Sequence, residues 1–93
     1  MKEQARLVIS GKVQGVFYRD YACEKARDLD VYGWIRNNSD GTVEVFCQGN
    51  ATNVQMFIDW CYQGPISAKV TEIDIQKQPL EGEELFDSFD VKY

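Results

Sequence analysis

The chain has 93 residues, and its hydrophobic content of 44% is enough for one domain, residues 1–93, to bury a core without help from metals or disulfides. A net charge of −5 and the absence of histidine argue against nucleic acid as a partner and exclude a Ser-His-Asp triad, a phosphohistidine intermediate and a His-built metal site. The three cysteines, Cys23, Cys47 and Cys61, include no Cys-x-x-Cys pair, and they read as reduced, partly buried thiols of a cytoplasmic protein.

Met1 to Gln4 read as a loose start. From Ala5 to Gly11 the pattern alternates, with Leu7 and Ile9 on one side and Arg6, Val8 and Ser10 on the other, which predicts a strand with one buried face. After a turn, Tyr18, Ala22, Ala26 and Leu29 recur at helical spacing and predict an amphipathic helix over about Tyr18 to Leu29. Tyr18, Tyr21 and Ala22 are expected in its core face, and Asp20 and Glu24 lie toward the end where the helix dipole favours acids.

Gly33 to Asn37 and Thr42 to Gln48 predict a hairpin around Asn38-Ser-Asp-Gly41, with Gly41 supplying the positive φ. Asn50 is placed to cap a second helix, in which Val54, Phe57, Ile58, Cys61 and Tyr62 form an apolar stripe and which Gly64-Pro65 stops. Ala68 to Gln76 reads as a strand with Thr71, Ile73 and Ile75 on one face; Val70 falls out of phase and marks a bulge. Pro79 to Asp87 reads as an acidic loop, and Phe89, Val91 and Tyr93 alternate as a short last strand. The element order predicts an α+β fold: a ferredoxin-like βαββαβ sandwich, with an antiparallel sheet, two helices on one face and a short extra C-terminal strand. No apolar run reaches the length of a signal segment or a membrane span, so no membrane role is expected.

The stretch Gly11-Lys-Val-Gln-Gly-Val-Phe-Tyr-Arg19 carries the chemistry. It has no Asp, Glu or Pro, so each residue of the turn keeps its N–H and no acid repels an anion. Such a bend can aim several N–H groups at one point, a helix N-terminus adds partial positive charge, and Arg19 adds a permanently charged fork of donors. The reading is a pocket for a phosphate-like dianion. Charge is distributed to match: seven Lys/Arg stand against five Asp/Glu in residues 1–36, and three against ten thereafter. Lys12 and Arg36 lie in or beside the motifs, where both a solvated surface and a part in attracting substrate are open readings. Two other phosphate chemistries are excluded. The positions six after each cysteine are Leu29, Asn53 and Ser67 rather than Arg, and the only Gly-Lys pair is followed by Val13 rather than Ser or Thr.

The same run resembles the acylphosphatase signature GxVQGVxFR, with Tyr18 in place of the family's Phe. A second family block is matched by Gly33-Trp-Ile-Arg-Asn-Asn-Ser-Asp-Gly-Thr-Val-Glu-Val-Phe-Cys-Gln-Gly49. The likeness runs from about Leu7 to Tyr93, with Asp30 where relatives usually carry Gly and Ile35 where they usually carry Val. The resemblance implies the ferredoxin-like fold and hydrolysis of small-molecule acyl phosphates to carboxylate and inorganic phosphate, with no metal or other cofactor. It implies that Arg19 and the backbone amides of Gln14, Gly15, Val16, Phe17 and Tyr18 bind the phosphate, and that Asn37 orients the attacking water. With it goes the expectation of a cytoplasmic monomer. Two other functions fit the fold. A phosphate-binding module without turnover would not need Asn37, and an RNA-binding sheet would need an Arg-Gly-Phe-type strand and positive charge that this chain lacks.

Overall fold

In the computed structural model, which describes residues 1–80 and 86–93, the chain runs β1 (Lys2–Lys12), α1 (Tyr18–Asp28), β2 (Tyr32–Asn37), β3 (Val43–Asn50), α2 (Ala51–Gln63), β4 (Lys69–Pro79) and β5 (Phe89–Val91). The strands form one sheet in the order β4-β1-β3-β2-β5. β1 and β2 both pair antiparallel with β3, so they run parallel to each other with α1 as the crossover between them. This is the predicted ferredoxin-like order, with one correction: the sheet is mixed, because β5 pairs parallel with β2. β5 therefore runs opposite to β4, and the chain leaves β4 and re-enters the sheet at the same end.

The predicted loose start is also corrected. β1 begins at Lys2 because it lies between two partners, pairing Lys2 with Asn50 of β3 and Glu3 with Pro79 of β4, and the Ala51 amide donates to the Met1 carbonyl at 2.9 Å. Lys2, Glu3 and Gln4 carry no apolar signal, but a central strand is held by backbone pairing whatever its side chains.

Ala5, Leu7 and Ile9 of β1, Ile35 of β2 and Val43, Val45 and Cys47 of β3 are buried against the helices. Tyr18, Ala22, Cys23 and Ala26 meet them from α1, and Val54, Phe57, Ile58 and Cys61 from α2. Tyr21 and Tyr62 were expected in these stripes but are about half exposed. At about 100° per residue, Tyr62 stands roughly 80° away from Val54 around α2, and Tyr21 falls behind the Ala22–Ala26 side of α1. All three cysteines are unpaired and buried; burial pushes the Cys47 thiol up to about 12 and also raises those of Cys23 and Cys61.

The helix ends follow local rules. The Asn50 side-chain oxygen accepts from the Thr52 amide at 3.0 Å, as an N-cap does. α1 closes with the Val31 amide donating to the Ala26 carbonyl at 2.8 Å and the Asp30 amide to the Arg27 carbonyl at 3.3 Å. That is a Schellman motif, and Asp30 occupies its left-handed position at φ 55. α2 ends at Gly64, where a Cβ would stand 2.8 Å from the Tyr18 ring. The Tyr18 hydroxyl donates to the Cys61 carbonyl at 2.6 Å, satisfying one of the acceptors that the last turn of α2 leaves open.

The predicted bulge is present. Ser10 pairs with Glu72 but Gly11 pairs with Val70, which leaves Thr71 as the extra residue and turns it outward, while Ile73 stays buried. Gly11 has φ 122, and a Cβ there would lie 2.1 Å from the Lys69 carbonyl oxygen, so the strand can enter the following loop only with glycine at this point. Of the predicted loop from Pro79 to Asp87, Pro79 belongs to β4, and residues 81–85 lie outside the described residues.

Candidate active site

The loop between β1 and α1 is anchored by two apolar side chains, Val13 and Val16, both buried in the core. Between and after them the backbone turns through Gly15 at φ 75 and Phe17 at φ 63, ψ 22. Phe17 is the residue before α1, and no side chain caps the helix there. Among the described residues, no protein acceptor takes a hydrogen bond from the amides of Gln14 through Tyr18. These donors sit at a helix N-terminus with their hydrogen bonds unspent.

Arg19 stands on the first turn of α1, half-buried, and among the described residues its guanidinium forms no ion pair. Its guanidinium carbon lies 5.3 Å from the centre of the Tyr93 ring. Asn37, the last residue of β2, has a buried side-chain oxygen with no hydrogen-bond partner. A pocket of ≈ 380 Å³ opens between these elements and is lined by Gly15, Phe17, Tyr18, Arg19, Asn37 and Tyr93, with Val13 beneath and Asp20 beside. Arg19 and Asn37, far apart in sequence, thus share one cavity.

Not every candidate residue lines it. Val16 is turned into the core, and the Gln14 side chain crosses to the β2–β3 turn, where its amide nitrogen donates to the Asn38 and Thr42 carbonyls at 2.8 Å each. Lys12 is exposed and away from the pocket. Arg36 is committed elsewhere: it lies 5.2 Å from the centre of the Trp34 ring and pairs with Glu44 at 2.9 Å. Glu44 is 3% exposed, and Arg6 reaches it as well, at 2.5 Å. Burial pushes the Glu44 carboxyl up, but the hydrogen bonds from Arg36 and Arg6 outweigh burial and hold it below its usual 4.5. The pair Arg36–Glu44 spans matched positions of β2 and β3, one step before Asn37 and Val43. It pins the strand that carries Asn37.

The turn after Asn37 is tied internally. The Asn38 amide donates to the Thr42 carbonyl at 2.8 Å and the Gly41 amide to the Asn38 carbonyl at 3.2 Å. Asp40 accepts from the Thr42 hydroxyl and amide at 2.6 and 3.0 Å, which holds its carboxyl below the ordinary value.

Tyr93 and Asp20 are the pocket residues that sequence reasoning missed. Tyr93 read as one member of a strand alternation and Asp20 as a dipole-compensating acid. Nothing local marks Tyr93 as a neighbour of Arg19; it arrives there because β5 docks beside β2. A pocket with a permanent cation, uncommitted backbone donors and a carboxamide acceptor can neutralise a doubly charged oxyanion and hold a water beside it.

Comparison with known proteins points the same way. A family model described as acylphosphatase matches residues 5–91. A protein named acylphosphatase from Pelotomaculum thermopropionicum is 40% identical over 92 residues, covering 99% of this chain and 98% of the relative. Among solved structures, an acylphosphatase from Bacillus subtilis superposes with a TM-score of 0.89 at 32% identity, covering 98% of this chain and 99% of that one. An acylphosphatase from Coxiella burnetii gives 0.88 at 31% identity, covering 98% of this chain and 93% of that one.

Proposed function

The chain belongs to the acylphosphatase family and is an enzyme that hydrolyses acyl phosphates, and from that premise we propose how its own residues carry the reaction. Arg19 holds two phosphoryl oxygens through its planar fork, and the backbone amides of Gln14, Gly15, Val16, Phe17 and Tyr18 take the remaining charge. Asn37 accepts a hydrogen bond from a water and aims its oxygen at phosphorus. The new P–O bond forms as the P–O bond to the acyl oxygen breaks; the carboxylate leaves with the electron pair, and the water's proton passes to a phosphoryl oxygen, so that carboxylate and dihydrogen phosphate are the products. An acyl phosphate already has a good leaving group, so fixed positive charge and a placed water suffice without a protein nucleophile. The charge that a metal would supply is supplied by Arg19 and the loop, so the reaction runs without one. The protein acts as a cytoplasmic monomer.

The observation that carries this reading is the shared cavity, in which Arg19 has no ion-pair partner and the Asn37 oxygen has no hydrogen-bond donor among the described residues. The test is benzoyl phosphate hydrolysis in EDTA by the parent, Arg19→Gln and Asn37→Ala. The parent is expected to be active. Each variant is expected to lose about 2–4 kcal/mol of transition-state stabilisation, roughly thirtyfold to a thousandfold in rate. Undiminished activity in either variant would refute that residue's role, and loss of parental activity in EDTA would refute metal independence.

A further inference from the structure

The Gln14 carboxamide spends both of its N–H groups on the β2–β3 turn, one on the Asn38 carbonyl and one on the Thr42 carbonyl, each at 2.8 Å and across 24 and 28 residues of sequence. Gln14 is covalently next to Gly15 of the anion loop. Asn38 is next to Asn37, and Thr42 is next to Val43, the β3 residue paired with Asn37. The loop follows β1 and the turn follows β2, and β3 lies between those strands, so backbone pairing does not join loop and turn directly. Nor does the turn need Gln14 to close. The Asn38 carbonyl already accepts from the Gly41 amide, and the Thr42 carbonyl from the Asn38 amide. Gln14 uses the second lone pair of each.

We infer that the Gln14 side chain is a positioning residue, a clamp that sets the distance between the phosphate-binding loop and the Asn37 carboxamide. The inference rests on the reading of Asn37 as the residue that orients water. A water must be aligned with phosphorus to within a fraction of an ångström, while loops joined only through their own strands drift by more than that. Without the clamp the loop still has its amides and Arg19, so phosphate binding survives. What is lost is the register between bound phosphate and aimed water.

The test is a double-mutant cycle with Gln14→Met, a neutral side chain of similar length without donors, and Asn37→Ala. For each protein, benzoyl phosphate turnover, inhibition by inorganic phosphate and the melting temperature are measured. Gln14→Met is expected to lower kcat about tenfold to a hundredfold while the inhibition constant for phosphate changes less than about twofold. In the Asn37→Ala background the same change is expected to cost less than about twofold, because the group being positioned is gone. Gln14→Asn, which keeps the donors but shortens their reach, is expected to show a smaller fall in kcat with phosphate inhibition again unchanged, and it serves if Gln14→Met folds poorly. Additive losses in the double variant, a phosphate constant that worsens in step with kcat, or full activity in Gln14→Met would overturn the inference. If Asn37→Ala alone retains full activity, the role of Asn37 has failed first, and the cycle separates the two failures.

Discussion

Asn37 offers an acceptor that the rest of the described fold does not use. Its buried side-chain oxygen takes no donor from the described residues, which leaves it to the water that the proposed reaction places there. Natural chains keep such a group where it works on a ligand. Stability and turnover should therefore part company at this residue. Asn37→Ala is expected to lose most of its activity while melting within about 4 °C of the parent. Calorimetry beside the rate assay checks this; a drop of several degrees would make the carboxamide structural. Arg19 and Asn37 were both legible in the sequence, through motif spacing and the resemblance it carries. Tyr18 was legible only in part. Its helical spacing marked it as core, but its hydroxyl bond to the Cys61 carbonyl depends on where α2 ends.

At the scale of elements, the site depends on β2 holding its register against β3. Arg36, Glu44 and Arg6 form a cross-strand group on the sheet face away from the helices, immediately before Asn37. Because the folded-state carboxyl of Glu44 titrates below its unfolded 4.5, its stabilisation is complete above that pH and is lost as pH falls through the lower folded value. Glu44→Gln is expected to be less stable than the parent by about 1–3 kcal/mol at pH 7, with the gap narrowing below about pH 4.5. Denaturant unfolding across pH reads this directly, and a gap that stays constant down to pH 2 would contradict it. Element ends were well read where a single residue decides them. Asn50 caps α2, Gly64 stops it and Asp30 takes the left-handed position after α1. The N-terminal extension of β1 was invisible because its polar residues pair through backbone alone. Tyr21 and Tyr62 were misjudged because an aromatic at the rim of a helical stripe can turn either way, and only the packed neighbour decides.

At the scale of the whole molecule, both helices share one face of one sheet, and a radius of gyration of 12.2 Å matches the ~12 Å expected of a compact domain this long. Residues 1–93 are therefore expected to unfold in a single cooperative transition, and the protein to elute from a sizing column at the mass of one chain. Two separated transitions, or a dimer mass at micromolar concentration, would contradict this. Among the described residues no helix is long and apolar enough to cross a membrane.

The sequence by itself determined the kind and order of the elements, the bulge near Val70, and a bend between β1 and α1 with its N–H groups intact and Arg19 after it. Those follow from periodicity, turn chemistry and spacing, which act between near neighbours in the chain, while Asn37 was picked out only by the family resemblance. The tertiary structure alone decided that β5 runs parallel to β2, that the Tyr93 ring lies beside Arg19, that Arg36 serves Glu44 rather than the pocket, and that Gln14 reaches the turn beyond Asn37. Each is a contact between distant residues. Its existence depends on which strand docks beside which, and that is set by the free energy of the packed whole rather than by any local pattern.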